Sequence, residues 1–374
     1  MSAMEIEFKF CVAPERLDGL RSAVSAADAT GTGDAGHPKA ATRTRLQATY
    51  FDTPDARLAS ARAALRVRRE GSTWVQTAKA IAQGPLVRLE DNVTLGPAQG
   101  DAVPAPDWRR HLGTPVGDLL APLLGDAPLR TTYGTDITRL ARHVQHGSAV
   151  VELALDEGRI HAGDAGSATA CSVAVQELEI ELVSGTATDL ANLADLAAVA
   201  ASWVSAHGLW LDTRSKAERG EQLLRGGAAF PVVTAAPLHE LLAAGDGWQR
   251  QSRALQLGLA HLMPNLQALA AGQSEAAHRH QARVALRRLR GLLRHGAPLC
   301  ATGWDPQGQW TQALTHALRQ LGKPGQLHAA PSPAAAPHTL MAAARERALQ
   351  LALVAMLMRA AQAAPGTAGT ATGD

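Results

Sequence analysis

The chain has 374 residues, 46% hydrophobic and 19% charged, with a formal net charge of +2. That length suits roughly two domains, and the balance is that of a globular protein, rich in alanine and poor in aromatics. No apolar run follows a basic start and no stretch of about 18 uncharged apolar residues occurs, so neither export nor membrane spanning is expected.

The first predicted element is Met4-Glu5-Ile6-Glu7-Phe8-Lys9-Phe10, whose alternation has the period of a strand with one wet face and one dry one. Glu5, Glu7 and Lys9 share the charged face. Adjacent carboxylates repel one another, so the face suits a hard divalent cation, with Lys9 beside it for an anionic oxygen. An ordinary amphipathic edge strand has the same pattern. Pro14-Glu15-Arg16-Leu17 begins a short helix with proline and an acid in its first turn, and residues 28–41 read as a loop. A strand from Gln47 to Thr53 is closed by Pro54. In Ala64-Leu65-Arg66-Val67-Arg68 the two arginines face the same way and repel unless an anion or solvent separates them. Trp74 to Lys79 sets Thr77 beside Lys79, and Arg88 to Thr94 sets Arg88 with Glu90 and Asn92.

Residues 101–128 suggest short helices outside a sheet. A strand from Thr135 to Val144 carries Arg139, and the next, Ala149 to Asp156, places Glu152 and Asp156 on one face. Asp156-Glu157-Gly158-Arg159 reads as a hairpin turn. The returning strands run through Arg159-Ile160-His161 and then Val175 to Leu182, where Glu177, Glu179 and Glu181 share a face that repels itself unless cations lie among them. Thr188-Asp189 caps a helix from about Leu190 to His207, and Trp210 to Arg219 contains Ser215-Lys216.

Together, Glu5-x-Glu7-x-Lys9, Tyr50-Phe51-Asp52-Thr53 and Ser215-Lys216 resemble the CYTH family, also called triphosphate tunnel metalloenzymes. That family includes inorganic triphosphatases, thiamine triphosphatases and a class of adenylate cyclases. The resemblance covers about residues 4–220 and implies an α+β fold: a closed eight-stranded antiparallel β tunnel with outer helices. Strands charged on one face can meet that requirement by closing around a polar lumen. The resemblance implies that Lys9, Arg66, Arg68, Lys79, Arg88, Arg139 and Lys216 bind phosphates. It also implies that Glu5, Glu7, Glu152, Glu177, Glu179 and Glu181 hold Mg²⁺ or Mn²⁺, with Glu90 on the same lumen. Lys9, Glu7, Arg66 and Lys79 are the expected catalytic set. Only five basic residues are lysine, and three of them, Lys9, Lys79 and Lys216, stand at these positions, where a compact point charge is wanted. One departure bears on substrate grip: relatives of the inorganic triphosphatase type usually carry a second basic residue two places after the one matching Arg139. Here that place is Ala141, with Arg142 next along on the opposite face.

Charge is divided unevenly. Residues 1–225 carry a net of −5, residues 226–374 a net of +7 with eight of the 14 histidines. The acidic part suits metal binding and the basic part a polyanion. Residues 226–240 read as a linker. From Trp248 the pattern is helical, with Leu255, Leu259, Leu262, Leu266 and Leu269 in a stripe and Pro264 expected to kink it. Between His278 and Arg294, Ala282, Ala285, Leu286, Leu289 and Leu293 form one stripe, and His280, Arg283, Arg287, Arg290 and Arg294 the neighbouring one. This helix resembles that of the CHAD domain, a helical module that commonly follows CYTH domains and binds polyphosphate. The resemblance implies polyphosphate contacts at His280, Arg283, Arg287 and Arg290; a solvated structural face reads equally well. The acidic segment expected after the next helix is missing, with Leu321-Gly322-Lys323-Pro324 in its place. Residues 241–362 are therefore expected to form a shortened all-α CHAD-like domain and 363–374 a disordered tail.

The expected function is metal-dependent hydrolysis of inorganic triphosphate to pyrophosphate and phosphate. The alternatives are an adenylate cyclase, a thiamine or nucleoside triphosphatase of the same fold, or a non-enzymatic polyphosphate-binding protein. Scarcity of aromatics to stack on an organic base favours the inorganic substrate. Inorganic triphosphate or polyphosphate is the expected partner, with no nucleic acid or membrane, and a homodimer is left open. The scattered Cys11, Cys171 and Cys300 read as buried thiols in a reducing cytoplasm.

Overall fold

A computed structural model describes residues 3–26, 40–81, 87–163, 170–184, 190–227, 230–237, 247–273, 275–295 and 319. The chain divides into two compact units, one of Met1–Gly185 and Ala198–Ala229, the other of Thr186–Ala197 and Phe230–Asp374. The loop expected at 28–41 lies almost wholly outside the described residues. So do Thr188-Asp189, Cys300, nearly all of the segment from 301 to 362, and the tail.

The first unit is built on one antiparallel sheet. Its strands are β1 (Ala3–Cys11), β2 (Thr42–Asp52), β3 (Ala63–Glu70), β4 (Thr73–Ile81), β5 (Val87–Pro97), β6 (Arg130–His146), β7 (Ala149–Ala162), β8 (Cys171–Ser184) and β9 (Trp210–Leu211). Their order is β5-β4-β3-β2-β6-β7-β8-β1-β9, and β5 also pairs with β1 from Ala3↔Glu90 to Ile6↔Val87. The eight long strands match the expectation, and the two-residue β9 is an addition. Helix α1 (Leu17–Ser25) follows a 3₁₀ turn at Pro14–Arg16. Further helices are α2 (Arg57–Ser60), α3 (Pro115–Leu124), α4 (Leu190–His207), of which residues 190–197 fall in the second unit, and α5 (Lys216–Leu224).

One expected turn is overturned. Residues Asp156 to Arg159 lie mid-strand in β7, paired with β6 through Arg139↔Asp156 to Asp136↔Arg159 and with β8 through Asp156↔Glu177 to Arg159↔Ala174. Gly158 is there for space: a Cβ on it would come 2.0 Å from the Asp136 carbonyl oxygen. The β6–β7 turn is instead at Gly147, which holds a φ of 55°.

Alternation has the expected consequence on the dry face. Phe8 and Phe10 of β1, Leu65 and Val67 of β3, Leu153 and Leu155 of β7, and Leu178 and Ile180 of β8 are fully buried. Each such side chain contributes about 1.5–3 kcal/mol on leaving water. Val116, Leu120 and Leu124 of α3 join Trp108 against Leu65, Ala78 and Ala80, covering β3 and β4. A buried polar link fixes the 3₁₀ turn at Trp108–His111: His111 Nδ1 lies 2.7 Å from Asp91 Oδ2, and its Nε2 3.0 Å from Gln76 Nε2.

In the second unit, α6 (Gly247–Ala270) and α7 (Ala276–His295) pack side by side. The expected stripes are present: Leu255, Leu259, Leu262, Leu266 and Leu269 are buried, as are Ala282, Ala285, Leu286 and Leu289. Helix α6 runs uninterrupted through Pro264. Within residues 230–237 the chain is tied to both helices. Asn265 Nδ2 donates to Val233 O at 2.9 Å, His278 Nε2 lies 3.0 Å from Phe230 O, and Arg288 Nη1 donates to Ala236 O at 2.9 Å. His280, Arg287 and Arg290 are exposed and Arg283 half-buried, so the basic stripe lies beside the apolar one as the helical period requires.

Candidate active site

The wet faces of the strands look onto one cavity of about 1040 Å³ in the first unit. Of the expected site residues, Glu7, Lys9, Arg66, Arg68, Lys79, Arg139, Glu152, Glu179, Glu181 and Lys216 line it, and so does Glu90. Glu177 is fully buried and is not among the lining residues. Glu5 and Arg88 stand opposite each other in the β1–β5 register; their side chains lie outside the described residues.

Register arranges the charges in rows. On adjoining strands, Glu7 of β1 faces Glu181 of β8, which faces Glu152 of β7, which faces His143 of β6. Three carboxylates directly across from one another repel, a cost that a cation among them removes. His143 Nε2 lies 3.2 Å from Glu152 Oε2, and His143 also lines the cavity, two residues beyond Ala141 on the same face. Arg142 points the other way, its Nη2 3.4 Å from Ala23 O.

Beside that row lies a second, deeper group. Lys9 Nζ is 3.7 Å from Glu7 Oε1 and 3.9 Å from Glu179 Oε1, and Lys9 is only 5% exposed. Arg139 grips Asp156 with two bonds of 2.7 Å and also pairs with Glu179. Burial works against charge on these groups, but the Lys216 ammonium and Arg139 guanidinium overcome it, holding Asp156 below and Glu179 well below the ordinary carboxylate range. The same carboxylates hold Lys216 well above its ordinary value despite burial. Arg219 of α5, which bonds Glu177 Oε2 at 2.7 Å, is a member of this group that strand pattern does not single out, whereas Asp156 stands on the face it was expected to share with Glu152.

The opposite wall is basic. Arg66 and Arg68 on β3 stand near Lys79 of β4, which pairs with Glu90. Arg68 Nε donates to Glu70 Oε1 at 2.7 Å, and burial with the adjoining Arg66 pulls the Arg68 group below its ordinary value. Arg66 Nη1 reaches the Tyr50 hydroxyl at 3.4 Å, while its buried Nε has no hydrogen-bond partner among the described residues. A guanidinium with an unused donor in a cavity wall is a ready anion contact. Thr77 Oγ1 donates to Asn92 Oδ1 at 2.7 Å, and Asn92 Nδ2 to Glu90 Oε1 at 2.8 Å, which orients the Lys79 partner.

The inner face is not charged throughout. Toward one end Leu46, Ile137, Ile160 and Val175 join Tyr50 and Tyr133 in an apolar cluster, packed by Ala217 and Leu223 of α5. The two tyrosine rings stack on each other at 4.7 Å and are both nearly buried. Helix α5 is fixed by a capping box in which Ser215 Oγ accepts from Glu218 N and Glu218 Oε2 accepts from Ser215 N. This places Lys216, the first helical residue, over the acidic group.

Among the described residues, ten acidic side chains and eight lysines and arginines line the cavity. That excess of negative charge disfavours a bare polyanion, and one divalent cation cancels it. The hard oxygen donors of Glu7, Glu152 and Glu181 are of the kind that hard divalent cations take. Among the described residues, the three acids whose carboxylate oxygens lie within 4.8 Å of one another are Asp156, Glu177 and Glu179. No helix among the described residues is long and apolar enough to cross a membrane.

The CYTH domain family matches the chain over residues 3–202. Among curated proteins nothing matches. Similar solved structures include a candidate adenylate cyclase from Bacillus halodurans, 19% identical, covering 58% of this chain and 97% of its own, with a TM-score of 0.35. A candidate adenylyl cyclase from Hippeastrum, described as having a dominant triphosphatase activity, is 17% identical and covers 61% and 98%, with a TM-score of 0.39. The inorganic triphosphatase NE1496 is 18% identical and covers 49% and 75%, with a TM-score of 0.18.

Proposed function

Since this chain belongs to the CYTH domain family, we propose that it hydrolyses inorganic triphosphate to pyrophosphate and phosphate, with a divalent cation, inside a closed eight-stranded tunnel. The β1–β5 pairing supports the closure. The observation that carries the reading is the convergence on one cavity of an acidic row, Glu7, Glu181 and Glu152, and a basic wall, Arg66, Arg68 and Lys79. Arg66 and Arg68 bind the terminal phosphates, Lys79 is poised by Glu90, and Lys9 meets a bridging or leaving oxygen. Glu7, Glu152 and Glu181 hold Mg²⁺ or Mn²⁺, which when bound offsets phosphate charge, polarises a phosphoryl oxygen and lowers the pKa of water. Water supplies the oxygen that replaces one P–O–P bond, and its protons pass to the two products and solvent. The lining aromatics among the described residues, Tyr50, Phe51 and Tyr133, are buried, and the two tyrosines are stacked on each other, so none of these is open to sandwich an adenine or thiazolium ring.

Phosphate release is measured with inorganic triphosphate, ATP and thiamine triphosphate, each with Mg²⁺, with Mn²⁺ and with EDTA. The reading expects release from inorganic triphosphate that EDTA abolishes. Cyclic AMP from ATP would select the cyclase, and no release with any substrate would leave a binding protein. On the same reading the basic stripe of His280, Arg283, Arg287 and Arg290 is a secondary contact for longer polyphosphate, tested by filter binding of labelled polyphosphate to the Arg287→Glu/Arg290→Glu chain.

A further inference from the structure

Asp156, Glu177 and Glu179 form a cage whose oxygens lie within 4.8 Å of one another, a spacing that a divalent cation could bridge. The centre is already taken. Lys216 Nζ lies 2.7 Å from Asp156 Oδ2, 2.5 Å from Glu177 Oε1 and 2.8 Å from Glu179 Oε1. The ammonium donates a hydrogen bond to Glu179 and stands in ion-pair contact with Asp156 and Glu177, whose Oε1 has no hydrogen-bond partner among the described residues. The remaining oxygens are also met: Arg139 bonds Asp156 Oδ1 and Glu179 Oε2, and Arg219 bonds Glu177 Oε2. Three buried anions are thus balanced by one buried and two half-buried cations. A divalent ion added to the cage would leave a large uncompensated positive charge or would have to expel Lys216. Expulsion is resisted by the backbone, since Lys216 is the first residue of α5, held by the Ser215–Glu218 capping box and by Gly220, which lies flat on Tyr133.

We propose that Lys216 is a built-in cation that fills this cage, so that metal is bound only by the row Glu7, Glu181 and Glu152. Lys216 is then a positioning residue. It makes no phosphate contact, and it fixes Glu179, whose Oε1 is shared between Lys216 and Lys9, so that Lys9 stands ready beside Glu7. The inference rests on the proposed reading only for the presence of a metal at the cavity row; the filled cage stands on geometry.

The test is Mn²⁺ binding, followed by the loss of the free-ion EPR signal and by calorimetry, on the full chain. Lys216→Ala empties the cage centre and is expected to bind one more Mn²⁺ per chain than the native protein. Adding Glu177→Gln to it should return the count to the native number. Glu177→Gln alone, with Lys216 present, should leave the native number unchanged, which keeps the inference falsifiable should Lys216→Ala fail to fold. Equal counts in the native and Lys216→Ala proteins, or an ion lost in Glu177→Gln alone, would overturn it. In triphosphate kinetics a positioning role predicts that Lys216→Ala lowers kcat with little change in KM; a rise in KM alone, the mark of a lost phosphate contact, would also overturn it. Expected Mn²⁺ counts with no hydrolysis would sink the proposed activity and leave this inference standing, whereas hydrolysis with unchanged counts would do the reverse.

Discussion

Lys9 and Glu179 are direct partners across the β1–β8 pairing, and the lysine ammonium lies between Glu179 and Glu7, 3.9 Å and 3.7 Å from their oxygens. A charge held so rigidly can stabilise charge developing on phosphate without reorganising. Lys9→Ala and Glu7→Ala should each lower triphosphate turnover by roughly a hundredfold or more, with the circular dichroism spectrum unchanged. Normal turnover in either protein would argue against the assigned site.

Arg66 presents a buried donor that no described group accepts. Its loss should be felt mainly in binding: Arg66→Ala should raise KM by roughly 10- to 100-fold, the worth of one charge-assisted hydrogen bond. Arg66→Lys should recover little, because an ammonium lacks the planar fork. An unchanged KM for Arg66→Ala would remove this residue from the phosphate contacts.

Helix α5 depends on a glycine. A Cβ on Gly220 would come 2.4 Å from the Tyr133 ring, so Gly220→Ala must push the helix outward, at about 1–3 kcal/mol. Ser215→Ala removes the cap for about 1 kcal/mol. Both losses are read from urea midpoints, and a Gly220→Ala midpoint equal to the native one would contradict the close approach.

Stability should fall in acid for a reason that can be located. Asp156 and Glu179 have folded-state values below their unfolded ones of 3.8 and 4.5, so their contribution is full above about pH 4.5 and is lost as pH falls through the depressed values. Lys216, raised above 10.5, contributes fully below that pH and loses its share as pH rises through the raised value. Asp156→Asn should flatten the acid limb of urea midpoint against pH; a limb as steep as the native one would place the titration elsewhere.

The two described cysteines should differ sharply toward a thiol reagent. Cys171 is exposed, whereas burial and the Asp212 carboxylate push the Cys11 thiol far above its ordinary value. Peptide mapping after brief labelling of the native protein should find modified Cys171 and untouched Cys11, both reacting once urea unfolds the chain. Rapid labelling of native Cys11 would contradict its placement.

Much of the site was legible because a strand has a period of two. Glu7 with Lys9, Arg66 with Arg68, and Glu179 with Glu181 share faces in the sheet as alternation requires, and the apolar residues between them are buried. The reading failed where a local signal has two causes. Asp156-Glu157-Gly158-Arg159 has the composition of a turn, but its glycine makes room for the Asp136 carbonyl in a continuous strand. Alternation likewise made no distinction between the charged and apolar stretches of the inner face, because Tyr50 and Ile137 occupy the same side as Arg66 and Arg139.

By itself the amino-acid sequence determined which side chains stand together along each strand and helix, since those periods follow from backbone geometry alone. Tertiary structure alone decided which face turned inward and which charges met. Lys216, on the first turn of a helix, reaches Asp156, Glu177 and Glu179 on two strands, and no periodicity links those positions. Partners across strands are set by register, which depends on the whole sheet burying its apolar face at once, and a shift of one residue would have turned every charged row outward.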